Sequence, residues 1–313
     1  MVIGDGFPDC INIVLEEKVQ IIRRFAPFVL YCYKDVPYEE EIGMKIGIIG
    51  YGSMGRMFLE KMSGTAEFAK KEYLIANRTR AKIEHLKDTF QICESNAQLA
   101  AEANIIFLCV EPSEMKKVLI DIQAVVDEAT FLVSLNGSIQ FAQMEQVCKN
   151  KFAKVIPSVT AEVNQAQTLV CFNELVEPQE RELLMRLLSC MGDVIELPES
   201  EIGMGSELVS CMPGFIASIF HEICTVAASH TTIPEEQIIE MVLKTMAGTG
   251  RLMLNNEYTF EEVIGRVATK GGITEEGVKV IHNRLPEVME ELFRKTLEKR
   301  SMTTARANEM FGE

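Results

Sequence analysis

Gly50, Gly52 and Gly55 sit inside "GIIGYGSMGR", directly behind a short apolar run and ahead of a helical pattern. At that spacing Gly50 allows a tight turn, Gly52 lets the backbone approach a pyrophosphate, and Gly55 lets helix and strand pack closely. The helix N-terminus then faces the phosphates. Ser53 and Met54, which open that helix, complete the residues expected to border a dinucleotide. A second apolar run follows at the spacing of a dinucleotide fold, about twenty residues on, and ends in "ANRTRAK". An NAD site would offer an acid there to the ribose hydroxyls. Asn77, Arg78 and Thr79 stand in its place, which favours NADP(H). Arg78 can give charge-assisted hydrogen bonds to the 2′-phosphate, with Asn77 and Thr79 as neutral donors. A basic residue is also disfavoured at the positive end of a helix unless an anion sits there. The Arg78→Ala variant is therefore expected to narrow the gap between NADPH and NADH.

Two more stretches end apolar runs. "CVEPS" places Val110 and Pro112, and "SLNGS" places Asn136 and Gly137, at the edge where ligands of open α/β sheets lie. They are candidate walls of a nicotinamide pocket, and ordinary turn chemistry explains them equally well.

These residues need a frame to hold them. From Lys45 onward, "KIGII", "YLIAN", "IIFLCV", "TFLVSL" and "KVIP" alternate with amphipathic stretches beginning at Ser53 and Arg80 and between the later runs. Short buried strands separated by helices predict a parallel sheet with right-handed crossovers. After "GDVIEL" the strand signals stop. Residues 200–300 read as helical, with Pro213 interrupting one helix and Pro234 following a break. Their helices are apolar on too many sides to be solvated singly, so a second copy is expected to cover them. The expected layout is an N-terminal extension over 1–43, a nucleotide domain over 44–202 and a helical domain over 203–313. Within the extension, "VLEEKVQIIRRFAPFVLYCY" suggests one amphipathic helix. Met44 is expected to be the natural start, because "MKIGIIG" can open a protein directly.

Composition excludes several classes. The 313 residues are 47% hydrophobic with net charge −15, enough for a sizeable core and unsuited to a broad nucleic-acid or anionic-membrane surface. The expected partner is a small molecule. No apolar run is expected to span a bilayer and no signal peptide is evident. Nine cysteines without a CxxC pair or His alternation read as reduced thiols of a cytoplasmic protein, with neither metal nor disulfide. The four histidines, His85, His221, His230 and His282, form no persuasive pair with a Cys or Asp.

From Met44 to Arg300 the chain resembles the pyrroline-5-carboxylate reductase family. The glycine turn, "IIFLCVEP", "KVIPSVTAEV", the Pro213 helix and "KGGIT" occur in family order. "VIPSVT", "VSCMPGF" and "KGGITEEG" look closer to its late-competence branch. The resemblance implies a Rossmann-type dinucleotide-binding α/β domain followed by an all-α dimerisation domain, with a substrate site at the junction of a homodimer or higher homo-oligomer. Thr269, Gly271, Gly272 and Thr274 match the family loop, and Glu257 falls where the family has an acid near the ring nitrogen. The chain departs from the family in "IPSVT", in Cys211 and Met212, in Lys270 for the loop proline, and in Glu275 and Glu276 after Thr274.

The implied reaction reduces a cyclic imine, most simply 1-pyrroline-5-carboxylate to proline. It needs no nucleophile, only orientation of the ring over the nicotinamide and stabilisation of the protonated imine. Backbone donors of the loop spanning Thr269, Lys270, Gly271, Gly272 and Ile273 could grip a carboxylate at a helix N-terminus. Thr274 would donate a hydroxyl or simply cap a helix starting at Glu275, and Glu257 would stabilise the iminium. Lys270 is expected to partner either the substrate carboxylate or the two glutamates. Two other readings stand beside this one: an NADP-binding dimer that turns nothing over and acts as a regulator, and a hydroxyacid dehydrogenase. The latter needs a lysine base that "GSELVSCMPGFIASIF" lacks.

Overall fold

The computed structural model describes residues 43–69 and 71–312. The expected helix of the N-terminal extension lies outside the described residues. Eight strands form one sheet: β1 (Lys45–Ile49), β2 (Glu72–Ala76), β3 (Gln91–Ile92), β4 (Ile105–Leu108), β5 (Phe131–Ser134), β6 (Lys151–Ile156), β7 (Ala166–Phe172) and β8 (Gly192–Glu196). Their order is β3-β2-β1-β4-β5-β6-β7-β8. Ile46, Ile48, Leu74, Ile106, Phe107 and Leu132 are fully buried, as unbroken apolar runs require of strands covered on both faces. Helices α1 (Ser53–Ser63), α2 (Asn96–Ala100), α3 (Pro112–Ile122), α4 (Phe141–Met144) and α5 (Pro178–Ser189) cover them. One apolar cluster gathers Phe58, Leu59 and Met62 of α1 with Leu184 and Leu188 of α5. The other gathers Leu99 of α2 with Met115, Leu119 and Ile122 of α3.

The strands run parallel from β3 to β6, and β7 and β8 are parallel to each other. The five runs expected to form a parallel sheet do so, whereas β7, which is not among them, pairs antiparallel with β6. A 3-10 turn over Val159–Val163 ends at Asn164 with φ 56°, and Gln165 N–H returns to Thr160 O. That tight reversal brings the chain back beside β6, a direction that apolar runs do not encode. The helix expected from Arg80 is instead two 3-10 turns, Arg80–Lys82 and Glu84–Leu86. Neither contains a fully buried residue; Ile83 between them is buried and Leu86 packs partly buried against the core, too little apolar contact to hold a longer helix.

The described residues divide into two compact units. The first runs to Ser210 and includes the stretch from Met302; the second is Cys211–Ser301. The division falls later than 202/203 because α6 (Ile202–Ser206) packs on the sheet. Ile202, Gly205 and Ser206 are buried, and a Cβ on Gly205 would come within 2.8 Å of Leu169 and Leu197 side chains. Residues from Met302 join the first unit through buried Ala307 and Phe311 and through Lys116 Nζ, which donates to Met310 O at 2.9 Å.

The second unit holds α7 (Met212–Ala228), α8 (Glu235–Asn256), α9 (Phe260–Val267) and most of α10 (Ile273–Gly312). Pro213 does not interrupt: it falls in the first turn of α7, where a missing N–H costs nothing, just after a π turn over Glu207–Cys211. The helical run Glu199–Ala228 is therefore 30 residues and, by length and composition, apolar enough to cross a membrane. This corrects the expectation that no such run exists. Leu254 (81% exposed), Phe260 (71%) and Ile273 (96%) show how open the apolar faces of this unit are.

Candidate functional site

β1 ends where the sheet order reverses toward β4, the place at which open α/β sheets bind ligands. The turn there is built as its glycines require. Gly50 has φ +98°, and a Cβ on it would lie 2.4 Å from Cys109 O. A Cβ on Gly55 would meet Gly50 O at 2.1 Å. Around Gly52 nothing lies within 4 Å of a Cβ position, so its backbone faces open space. Gly52 also caps α1 with no side chain on the first-turn amides, and that turn carries no acid. The first-turn amides of α1 thus have no side-chain cap, the arrangement at which helix starts take up anions. Burial pushes the thiol of Cys109, beneath this turn, up to about 12, so it stays protonated at neutral pH.

Gly50, Gly52, Asn77, Arg78, Thr79 and Val110 line one cleft of about 450 Å³. Asn77 is tied to the turn: its Oδ1 accepts the Tyr51 N–H at 2.9 Å, while its Nδ2 donates to Thr79 O at 2.8 Å. It braces the end of β2 against the glycine turn, a role that the sequence reading of a phosphate donor did not contain. The Arg78 side chain is 82% exposed and pairs with Glu114 at 3.2 Å. Ser53 borders a neighbouring cavity of about 700 Å³ beside Arg56 and His85. Met54 is exposed.

Val110 reaches the glycine turn, its Cγ1 being 3.1 Å from a Cβ position on Gly50. Pro112 starts α3. Asn136 is buried at the exit of β5; its Oδ1 accepts the Ser138 N–H at 2.9 Å, and its own N–H donates to Ser134 Oγ at 3.2 Å. Those bonds are turn chemistry holding Gly137 in place. Pro112, Asn136 and Gly137 do not line the 450 Å³ cleft.

In the second unit, Glu257 ends α8 in the left-handed region at φ 54°. Thr259 then caps α9 in a reciprocal box with Glu262. The loop that follows is drawn tight: Gly272 N–H donates to Thr269 O at 2.8 Å, and Gly271 adopts φ +76°. α10 starts at Ile273, so Thr274 lies inside its first turn and is not the cap. The capping contact comes from Glu275, whose Oε2 accepts the Gly271 N–H at 2.7 Å. That bond, then Lys279, holds the Glu275 carboxyl below the usual carboxylate range. Lys279 also pairs with Glu276 at 2.7 Å and reaches Glu275 at 3.6 Å. The compensation expected of Lys270 toward these acids is thus performed by Lys279, three and four positions along the helix, a spacing visible in the sequence. Lys270 is exposed and makes no ion pair among the described residues. No group of three or more His, Cys, Asp or Glu among the described residues could hold a metal ion.

Residues 45–137 match a family model described as NADP oxidoreductase coenzyme F420-dependent, and residues 199–303 one described as pyrroline-5-carboxylate reductase dimerisation. The chain is 31% identical over 263 residues to pyrroline-5-carboxylate reductase 3 of Bacillus subtilis (strain 168), a match covering 83% of this chain and 97% of that protein. It is 27% identical over 256 residues to ComE operon protein 4 of the same organism, covering 81% and 94%. Among solved structures, the fold resembles 1-pyrroline-5-carboxylate reductase from Streptococcus pyogenes, with TM-score 0.74, 19% identity, and 82% and 98% of the two chains covered. It also resembles Plasmodium falciparum pyrroline carboxylate reductase with NADP bound, with TM-score 0.70, 18% identity, and coverage of 86% and 98%.

Proposed function

The chain belongs to the pyrroline-5-carboxylate reductase family, and from that premise we propose that it reduces a cyclic C=N bond, with 1-pyrroline-5-carboxylate as substrate. NADP(H) is the cofactor, and the residues present fit it: an uncapped α1 start, open space at Gly52, and Arg78 at the end of β2. When bound it supplies the hydride. The protein's own work is to hold the ring, accept the developing product and exclude competing orientations.

One observation carries the substrate reading. Lys270 stands in the loop at the start of α10 without an ion pair among the described residues, while the neighbouring glutamates are neutralised by Lys279. A cation left over beside an otherwise balanced helix start suits an anionic substrate. In this reading Lys270 holds the carboxylate, Thr274 offers its hydroxyl from the first turn, and Glu257 favours the protonated imine. The product is the saturated ring, its former C=N carbon carrying the hydride and its nitrogen keeping a proton. Two copies pair through the apolar helices of Cys211–Ser301, including the exposed part of the Glu199–Ala228 run.

The test is oxidation of NADPH by the full chain with 1-pyrroline-5-carboxylate and with uncharged cyclic imines. Turnover of the carboxylated imine is expected; binding of NADPH without oxidation by any imine would overturn the reaction. A specific contact favours the second reading, a cofactor-binding dimer without turnover: the Gly271 N–H that would meet a substrate carboxylate is taken by Glu275.

A further inference from the structure

Arg78 and Glu114 meet across the nucleotide cleft although they come from different elements. Arg78 follows β2, Glu114 lies in the first turn of α3, and both line the same cavity with Gly50 and Gly52. The strand end that lacks an acid in sequence therefore has one in space. At 3.2 Å the Glu114 carboxylate holds the guanidinium that would serve a 2′-phosphate. Lys82 and Lys117 also line the cleft; of its other acids, Glu94 and Asp121 are engaged by Arg80 and by Asn96, and Glu111 lines it without an ion pair to Arg78. Glu114 is thus the carboxylate coupled directly to the residue that distinguishes the two dinucleotides.

The electrostatics follow from that pairing. A 2′-phosphate must draw Arg78 away from Glu114 and also meets a like charge beside the guanidinium. A ribose that keeps its 2′-hydroxyl leaves the ion pair intact and finds in Glu114 an acceptor, the role an acid at the end of β2 fills in NAD sites. We propose that Glu114 sets cofactor choice: it tethers Arg78 and so lowers the preference for NADPH over NADH. This rests on the nucleotide reading of the cleft and is independent of which imine is reduced.

The experiment is fluorescence titration of NADPH and NADH into the full chain and its variants, with circular dichroism to verify folding. Glu114→Gln should tighten NADPH by about tenfold and change NADH by less than about twofold. On an Arg78→Ala background the same substitution should move NADPH by less than about threefold, because the tether is already gone. A ratio of the two affinities unchanged within about twofold in Glu114→Gln would overturn the proposal. So would an equal shift in both backgrounds, which would make Glu114 a diffuse charge and not a tether. Binding alone is read, so the result stands whether or not an imine is turned over.

Discussion

Lys270 and Glu275 illustrate how single side chains divide the work at the start of α10. Lys270 has no ion pair among the described residues, whereas Glu275 is held by the Gly271 N–H and by Lys279. Replacing Lys270 by Ala should raise KM for a carboxylated imine by about tenfold and leave an uncharged imine nearly unaffected, because one exposed charge-assisted contact is lost. Steady-state kinetics on the two substrates checks this; equal effects on both would remove Lys270 from the anion's path. Glu275 carries a pH dependence. Its carboxyl is lowered in the folded state, first by the Gly271 N–H and then by Lys279, so its contribution to stability is present above the ordinary Glu value. That contribution is lost as pH falls through the lowered folded value. The carboxyl carbon resonance of Glu275 should titrate below the usual Glu range, and the difference in thermal midpoint between wild type and Glu275→Gln should close on acidification. A resonance titrating at or above the usual range would refute the capping role.

At the scale of elements, the glycine turn couples β1, α1 and β4. Gly55 lies against Gly50 O so closely that a Cβ would stand 2.1 Å away, and the same position is 3.3 Å from Cys109 Cβ. Backbone, not a flexible side chain, is the obstacle. Gly55→Ala should therefore displace α1 from the end of β1, costing about 1–3 kcal/mol of stability. NADPH affinity should fall with it, since the amides at the start of α1 shift away from the phosphates. Gly52→Ala meets open space and should leave stability little changed while weakening NADPH. Chemical denaturation and cofactor titration separate the two effects, and a Gly55→Ala protein of unchanged stability would contradict the packing argument.

For the whole molecule, the contrast between the units is one of coverage. The first buries both faces of its sheet, and the second leaves Leu254, Phe260, Ile273 and Val280 largely in solvent. Apolar area of that extent calls for a cover, and the dimerisation match over residues 199–303 makes a second copy the proposed one. Leu254→Asp places a charge in that face without touching the nucleotide cleft. The variant should sediment as a monomer or a weakened oligomer while still binding NADPH. A variant of wild-type size in analytical ultracentrifugation would exclude the α8 end from the interface.

Local order made much of this legible in the sequence. Unbroken apolar runs define buried parallel strands, and glycines at fixed offsets define a turn whose geometry only they tolerate, so the nucleotide domain and Gly50, Gly52 and Gly55 could be read directly. Lys279 beside Glu275 and Glu276 was equally readable, because helical neighbours recur at three and four residues. The antiparallel return of β7 was not, since an apolar run carries no direction and Asn164 closes the turn through its backbone conformation. Nor was the packing of Ala307 and Phe311 on the first unit, more than 150 residues from their neighbours Met115 and Phe141 in the cluster. Only tertiary structure placed Glu114 against Arg78. Their contact arises because parallel crossovers bring the ends of β2 and β4 to one edge of the sheet, a proximity that no sequence spacing expresses.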